Sequence, residues 1–128
     1  MRIESRIPEG KMKLSTIIKL LNCETIDGLA IKDLEITHCL CSDMMSDVLA
    51  FAKEGASSSL LITGLTNAQS VRTADIAGLT AILYIRGRRP EEQTIELANE
   101  LHIPILTTKL NMFEACGILF REGMKGLC

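Results

Sequence analysis

Ser59-Leu60-Leu61-Ile62-Thr63 and Thr80-Ala81-Ile82-Leu83-Tyr84-Ile85 decide the fold. Each is a short, uninterrupted apolar run, too short for an ordinary helix. A strand needs such a run when helices cover both of its faces, because neither face then alternates with water. Between the runs lie a loop, Gly64-Leu65-Thr66-Asn67, and a segment from Ala68 to Ala77. Val71, Ala74 and Ile76 of that segment contribute to the inner face of a helix. Two buried strands joined through a helix of about 10 residues make a parallel crossover.

The pattern continues in both directions. After the second run, Arg86-Gly87-Arg88-Arg89-Pro90 is a basic, breaking loop. Pro90 or Glu91 starts a helix with acidic residues in its first turn and Ile95, Ala98 and Leu101 inside. Pro104 opens a strand, Ile105 to Thr107, and Asn111 caps a helix carrying Met112, Ala115, Cys116, Leu119 and Phe120, closed by Gly123. Upstream, Leu34 to Cys41 alternates with period two and reads as one strand. Ser42 and Asp43 are placed to cap the helix behind it, whose inner stripe is Met44, Val48, Phe51 and Ala52 and whose stop is Lys53-Glu54-Gly55. Earlier still, Leu14, Ile17, Ile18 and Leu21 repeat at helical spacing, and Cys23 to Ile26 is extended up to the turn dipeptide Asp27-Gly28. The expected architecture is a three-layer α/β domain over residues 12–128, its mostly parallel sheet flanked by helices, behind a loose polar leader at 1–11.

Composition bounds the function. The 128 residues are 47% hydrophobic and 23% charged, which excludes an intrinsically disordered chain. Fourteen basic against 16 acidic residues leave a net charge near −2, without the basic excess that nucleic acid or an anionic membrane surface attracts. No apolar stretch reaches the roughly 18 residues of a membrane span, and residues 1–10 lack the apolar run of a secretory signal. Five scattered cysteines (Cys23, Cys39, Cys41, Cys116, Cys128) are an odd number, so reduced thiols in the cytoplasm are expected.

In an open parallel sheet, ligands bind beyond the carboxyl ends of the strands. That edge collects Ser42 and Asp43, then Thr63, Gly64 and Asn67, then Arg86 and Gly87, then Thr107, Thr108 and Lys109. Each cluster precedes a helix N-terminus, whose free N–H groups suit a phosphate or carboxylate, although the same residue types also cap helices with no ligand. Asp43 and Asp47, four apart, would share a helix face. Gly64 stands alone, with neither a dinucleotide fingerprint nor a nucleoside-triphosphate loop around it. Cys39 and Cys41 share a strand face, but His38 points to the other side, so the closed four-ligand set of a structural zinc is not assembled and small buried thiols are expected. Two histidines, His38 and His102, do not complete a nucleophilic triad.

Residues 41–117 resemble the DRTGG-domain family. The resemblance is carried by Cys-Ser-Asp-Met-Met-Ser-Asp-Val-Leu-Ala-Phe (41–51), Leu-Leu-Ile-Thr-Gly-Leu-Thr-Asn (60–67), Val-Arg-Thr-Ala-Asp-Ile-Ala (71–77) and Ile-Arg-Gly-Arg-Arg-Pro (85–90), with Ile-Pro-Ile-Leu-Thr-Thr and Met-Phe-Glu-Ala-Cys-Gly further on. It implies the α/β fold of HPr kinase and Mur ligase N-terminal domains, without the kinase domain and hence without kinase activity. If Val71 to Asp75 occupies the name motif, Arg72 and Thr73 match it, while the Asp and both glycines are replaced; alternatively Thr63-Gly64 marks that loop. Members of the family accompany CBS domains and pyrophosphatases, which implies regulation or dimerisation.

Three readings follow. The first is a non-catalytic regulatory module that self-associates as a dimer, or docks a partner protein, through an apolar helix face of Met112, Phe113 and Phe120. The second is a sensor holding an adenine nucleotide or another phosphorylated metabolite at the strand ends, with no other cofactor. The third is a phosphotransfer protein or hydrolase using Asp43. A concave polar pocket at the strand ends favours the sensor; a filled edge beside a broad apolar patch favours the interaction module.

Overall fold

The computed structural model describes residues 11–26, 34–52 and 56–127. In chain order its elements are β1 (Met12–Lys13), α1 (Leu14–Leu21), β2 (Glu24–Thr25), β3 (Glu35–Ile36), β4 (His38–Cys41), α2 (Met45–Phe51), β5 (Ser59–Thr63), α3 (Ala68–Ala77), β6 (Ala81–Tyr84), α4 (Glu92–Glu100), β7 (Ile105–Thr107), α5 (Met112–Arg121) and β8 (Lys125–Gly126). The main sheet runs β2-β7-β6-β5-β4-β8. Its pairings are parallel except that of β2 with β7. The two apolar runs lie side by side at its centre, Leu60 opposite Ala81 through Thr63 opposite Tyr84.

Strand pleat divides these runs between two cores. Leu60, Ile62, Ala81, Leu83 and Leu106 pack with α1 and α5, whereas Leu61, Ile82, Tyr84 and Ile105 pack with α2, α3 and α4. Every residue of β5 and β6 is buried, so alternation places apolar side chains on both faces. The helices following β4, β5 and β6 cover one face, and the helix following β7 returns over the other to deliver β8 beside β4. The three layers expected from the sequence are present, and among the described residues no helix is long and apolar enough to cross a membrane.

Several local expectations are corrected. The stretch 34–41 is two strands: β3 leaves the main sheet to pair with β1, and only β4 joins β5. Ile36 and Leu40 are both buried, but in different cores, Ile36 with Cys39 on the α1 and α5 side and Leu40 on the other, so the face changes at the break and the apolar alternation alone could not show it. In α2 the buried positions are Met45 and Val48, while Met44 and Phe51 are exposed. Ser42 and Asp43 do not occupy the N-cap, which is Met44. Asp43 therefore shares no helix face with Asp47, which lies in the first turn of α2. Ile76 is 74% exposed, so the inner face of α3 is Val71, Ala74 and two small polar residues, Ser70 and Thr73. Residues 1–10 of the leader, the Asp27-Gly28 turn, the stop at Lys53-Glu54-Gly55 and Cys128 lie outside the described residues.

Helix α5 starts where the sequence places it. The Asn111 side chain accepts the Glu114 N–H (2.8 Å), and the Glu114 carboxylate accepts the Asn111 N–H (3.2 Å), a reciprocal capping box. Asn111→Ala should cost about 1 kcal/mol, read as a fall in Tm of about 3–6 °C, whereas Asn111→Ser should keep most of the loss from appearing.

Candidate functional site

The end of β4 meets the end of β5 through Asp43. Its Oδ1 accepts the Gly64 N–H at 2.7 Å and the Thr63 hydroxyl at 3.0 Å. Thr63 Oγ1 accepts in turn from the Leu65 N–H at 3.1 Å. Ser42 Oγ accepts the Met44 N–H at 3.0 Å and so braces the residue before α2 without capping the helix itself. The sequence placed Asp43 at the right edge in the wrong role: its carboxylate pins the loop after β5 instead of capping α2.

Arg86 completes this group. It sits at φ +61°, followed by Gly87 at φ +67°, so the chain leaves β6 through two left-handed residues. Glycine adopts that region freely and arginine does not. The turn is held by the Arg86 N–H on the Leu110 carbonyl (2.7 Å) and the Gly87 N–H on the Thr108 carbonyl (2.8 Å). It lays the guanidinium against Gly64, where a Cβ would stand 2.7 Å from Arg86 Nη2 and 3.5 Å from Asp43 Oδ1. Cation, carboxylate and bare glycine backbone thus share one spot, with exposed guanidinium donors able to take a phosphate or carboxylate.

Asn67 is the N-cap of α3 but makes no side-chain cap bond, and its Oδ1 is buried without a hydrogen-bond partner. The loop before it is fixed by the Thr94 hydroxyl on the Thr66 carbonyl (2.8 Å) and the Ser70 hydroxyl on the Asn67 carbonyl (2.7 Å). Gly87, Thr107, Thr108 and Lys109 come together elsewhere, around a polar hollow of about 170 Å³ shared with Asn22 and Glu24. Thr108 is committed to structure there, donating to the Leu21 carbonyl at 2.7 Å. Arg72 and Thr73 join neither group: both lie inside α3, Arg72 exposed and Thr73 buried. The strand-edge residues therefore split into an Asp43–Thr63–Gly64–Arg86 group and a Thr107–Lys109 hollow. The crevice between the ends of β6 and β7 is bridged by the backbone bonds of Arg86 and Gly87.

A larger concavity than this hollow lies elsewhere. Between α5 and strands β4 and β8 runs an open, almost wholly apolar groove of about 430 Å³, flanked by Phe113, 86% exposed, and Phe120, 57% exposed. The sequence pointed to Met112, Phe113 and Phe120 as one exposed helix face. It gave no sign of the groove wall, because β8 is two residues long and pairs with β4 only through tertiary contact. Cys41 and Cys116 line this groove with their sulfurs 3.0 Å apart. That corrects the expectation of small buried thiols for Cys41, which is exposed, while Cys39 is buried as expected. Among the described residues, no three His, Cys, Asp or Glu side chains are arranged to hold a metal ion.

No family model matches the sequence, and no curated protein matches it. A solved structure does: the CBS and DRTGG domains of the regulatory region of Clostridium perfringens pyrophosphatase, complexed with the activator diadenosine tetraphosphate, at 18% identity and a TM-score of 0.68. The match covers 87% of this chain and 47% of that one, so the chain spans about half the length of its structural neighbour. At that identity the likeness establishes a shared α/β fold.

Proposed function

We propose that residues 12–128 form a non-catalytic regulatory module of the DRTGG type, with the fold of HPr kinase and Mur ligase N-terminal domains, working in the cytoplasm by self-association through α5. The observation that carries this reading is the apolar groove flanked by exposed Phe113 and Phe120, set against a strand edge largely filled by its own side chains and backbone bonds. The fold shared with a pyrophosphatase regulatory region supports regulation over catalysis.

The partner that α5 fits is a second copy of itself. Phe113 and Phe120 are seven residues apart, two turns of helix, and so lie on one face with exposed Gly117 between them. A Cβ at Gly117 would meet nothing within 4 Å, so a second helix can approach closely there. In an antiparallel twofold pair centred near Gly117, each Phe113 meets the other copy's Phe120. Glu114 in the first turn then faces Arg121 in the last turn of the other copy, and the helix dipoles oppose. Sedimentation of the wild-type chain at micromolar concentration should show a dimer, and Phe113→Glu or Phe120→Glu a folded monomer. A wild-type monomer at every concentration overturns the reading.

Two observations favour a second reading, that of a sensor for an adenine nucleotide or another phosphorylated metabolite. The structural neighbour was solved with diadenosine tetraphosphate, and Arg86 is held over Gly64 at a strand edge, where an anion would dock. Calorimetry with adenine nucleotides tests it: saturable heat supports the sensor, and none across the series removes it.

A further inference from the structure

We propose that Cys41 and Cys116 form a redox-active dithiol site whose reaction partner is a low-molecular-weight disulfide. The two residues are 75 apart in sequence, one ending β4 and the other in the middle of α5. Their sulfurs stand 3.0 Å apart on the wall of the open groove. A disulfide needs about 2.05 Å, so the bond forms with roughly 1 Å of closure, within the reach of small side-chain rotations. Cys41 is exposed and Cys116 half-buried, which gives an attacking reagent access.

The surroundings set this pair apart from the other described thiols. Hydrogen bonding with Cys41 holds the Cys116 thiol below the ordinary cysteine range, against the opposing effect of partial burial. Burial pushes Cys23 up to about 12, and pushes buried Cys39 up strongly as well. A thiolate is the nucleophile in disulfide exchange, so this adjoining, accessible pair is the one set to react, and the step is written with Cys116 as the first attacker.

The step balances as an exchange. The Cys116 thiolate attacks one sulfur of the small disulfide, breaking its S–S bond, forming a mixed disulfide and releasing one thiolate. The Cys41 sulfur, giving up its proton, then attacks the Cys116 sulfur. The Cys41–Cys116 bond forms, the mixed disulfide breaks and the second small thiolate leaves. The protein loses two electrons and two protons, and the small disulfide becomes two thiols. The product staples α5 to the end of β4, next to Ser42 and Asp43. This chemistry does not rest on the α5 pairing, because both sulfurs belong to one chain; it proceeds in the dissociated chain, where the groove lined by Phe113 and Phe120 is open, so it is tested at a concentration at which sedimentation shows monomer.

The full chain is incubated with glutathione disulfide, quenched in acid, unfolded, alkylated, and mapped by mass spectrometry without reduction. The expected result is a Cys41–Cys116 linked peptide within one chain, with Cys23 and Cys39 recovered alkylated, and a Tm several degrees higher that dithiothreitol reverses. Cys41→Ser should stop at a glutathione mixed disulfide on Cys116. The proposal is overturned if both thiols are recovered alkylated, if bridges form to Cys128 or between chains in place of this one, or if glutathione labels the described cysteines indiscriminately. The wild-type map decides the matter even if a variant fails to fold.

Discussion

Tyr84→Ala should lower the unfolding free energy by about 3–5 kcal/mol, enough to threaten a domain whose whole stability is of order 5–15 kcal/mol. The ring is fully buried at the carboxyl end of β6, in the core shared with α2, α3 and α4. Its hydroxyl lies 2.6 Å from Ser70 Oγ. Ser70 already donates its one hydrogen to the Asn67 carbonyl, so the Tyr84 hydroxyl is the donor between the two. The pair therefore ties the central sheet to the first turn of α3 and holds the loop carrying Gly64 and Asn67. Tyr84→Phe keeps the ring and should cost about 1–2 kcal/mol; Ser70→Ala strands a buried phenol and should cost about 1–3 kcal/mol. Chemical denaturation of both single variants and the double should reveal coupling, since they remove the same bond. Additive losses would show that the Tyr84 and Ser70 hydroxyls do not stabilise the fold through each other.

The same burial gives the sign of an alkaline effect. Desolvation pushes the Tyr84 phenol up to about 12, with the Ser70 hydrogen bond acting the opposite way, while an unfolded tyrosine titrates near 10. Between these values the folded state binds more protons than the unfolded one, so stability falls as pH rises from about 10 to 12. That fall should be shallower in Tyr84→Phe.

If the chain is the sensor of the second reading, Arg86→Ala and Gly64→Ala should each weaken binding of a phosphorylated ligand about 10- to 100-fold while leaving the fold in place, as expected when a charge-assisted hydrogen bond worth about 1.5–3 kcal/mol is lost. They reach the same end by different routes. Arg86→Ala deletes the cation; Arg86→Gly also deletes it and relieves the left-handed backbone at φ +61°. Gly64→Ala keeps the cation and moves it. A Cβ there would come 2.7 Å from Arg86 Nη2, the end of a flexible, exposed side chain that can swing away. The adjustment is cheap for stability and removes the guanidinium from its place beside Asp43. Calorimetry against diadenosine tetraphosphate and simpler adenine nucleotides, with a melting curve for each variant, checks both statements. If wild type binds and both variants bind equally well, the ligand sits elsewhere, and the hollow at Lys109 becomes the place to test.

The layered sheet was legible because periodicity is local. Runs such as 59–63 and 80–85 must be buried on both faces wherever they sit, and the helical segments between them leave a parallel crossover as the economical connection. Capping chemistry at Asn111 was legible for the same reason, since both partners lie within one turn. The resemblance to DRTGG domains pointed to the neighbour's fold on short, scattered matches, but drew Arg72 and Thr73 toward the ligand edge, whereas both lie inside α3, the helix that the periodicity of 68–77 already indicated. Period two also hid the break between β3 and β4: Ile36 and Leu40 are both buried, but on opposite sides of the main sheet, and a sequence pattern does not say which core an apolar residue enters.

What only the tertiary structure decided is which distant groups meet. Asp43 reads as a helix cap from its neighbours in sequence, yet the Gly64 N–H, brought beside it by β4–β5 pairing, captures it at 2.7 Å. Cys41 and Cys116 become partners only because α5 returns across the face that β4 presents, and a two-residue β8, paired with β4, adds a wall to the groove beside them. Sequence patterns encode the free energy of burying one element's face; they carry no term for the register in which two elements, 75 residues apart, come to rest.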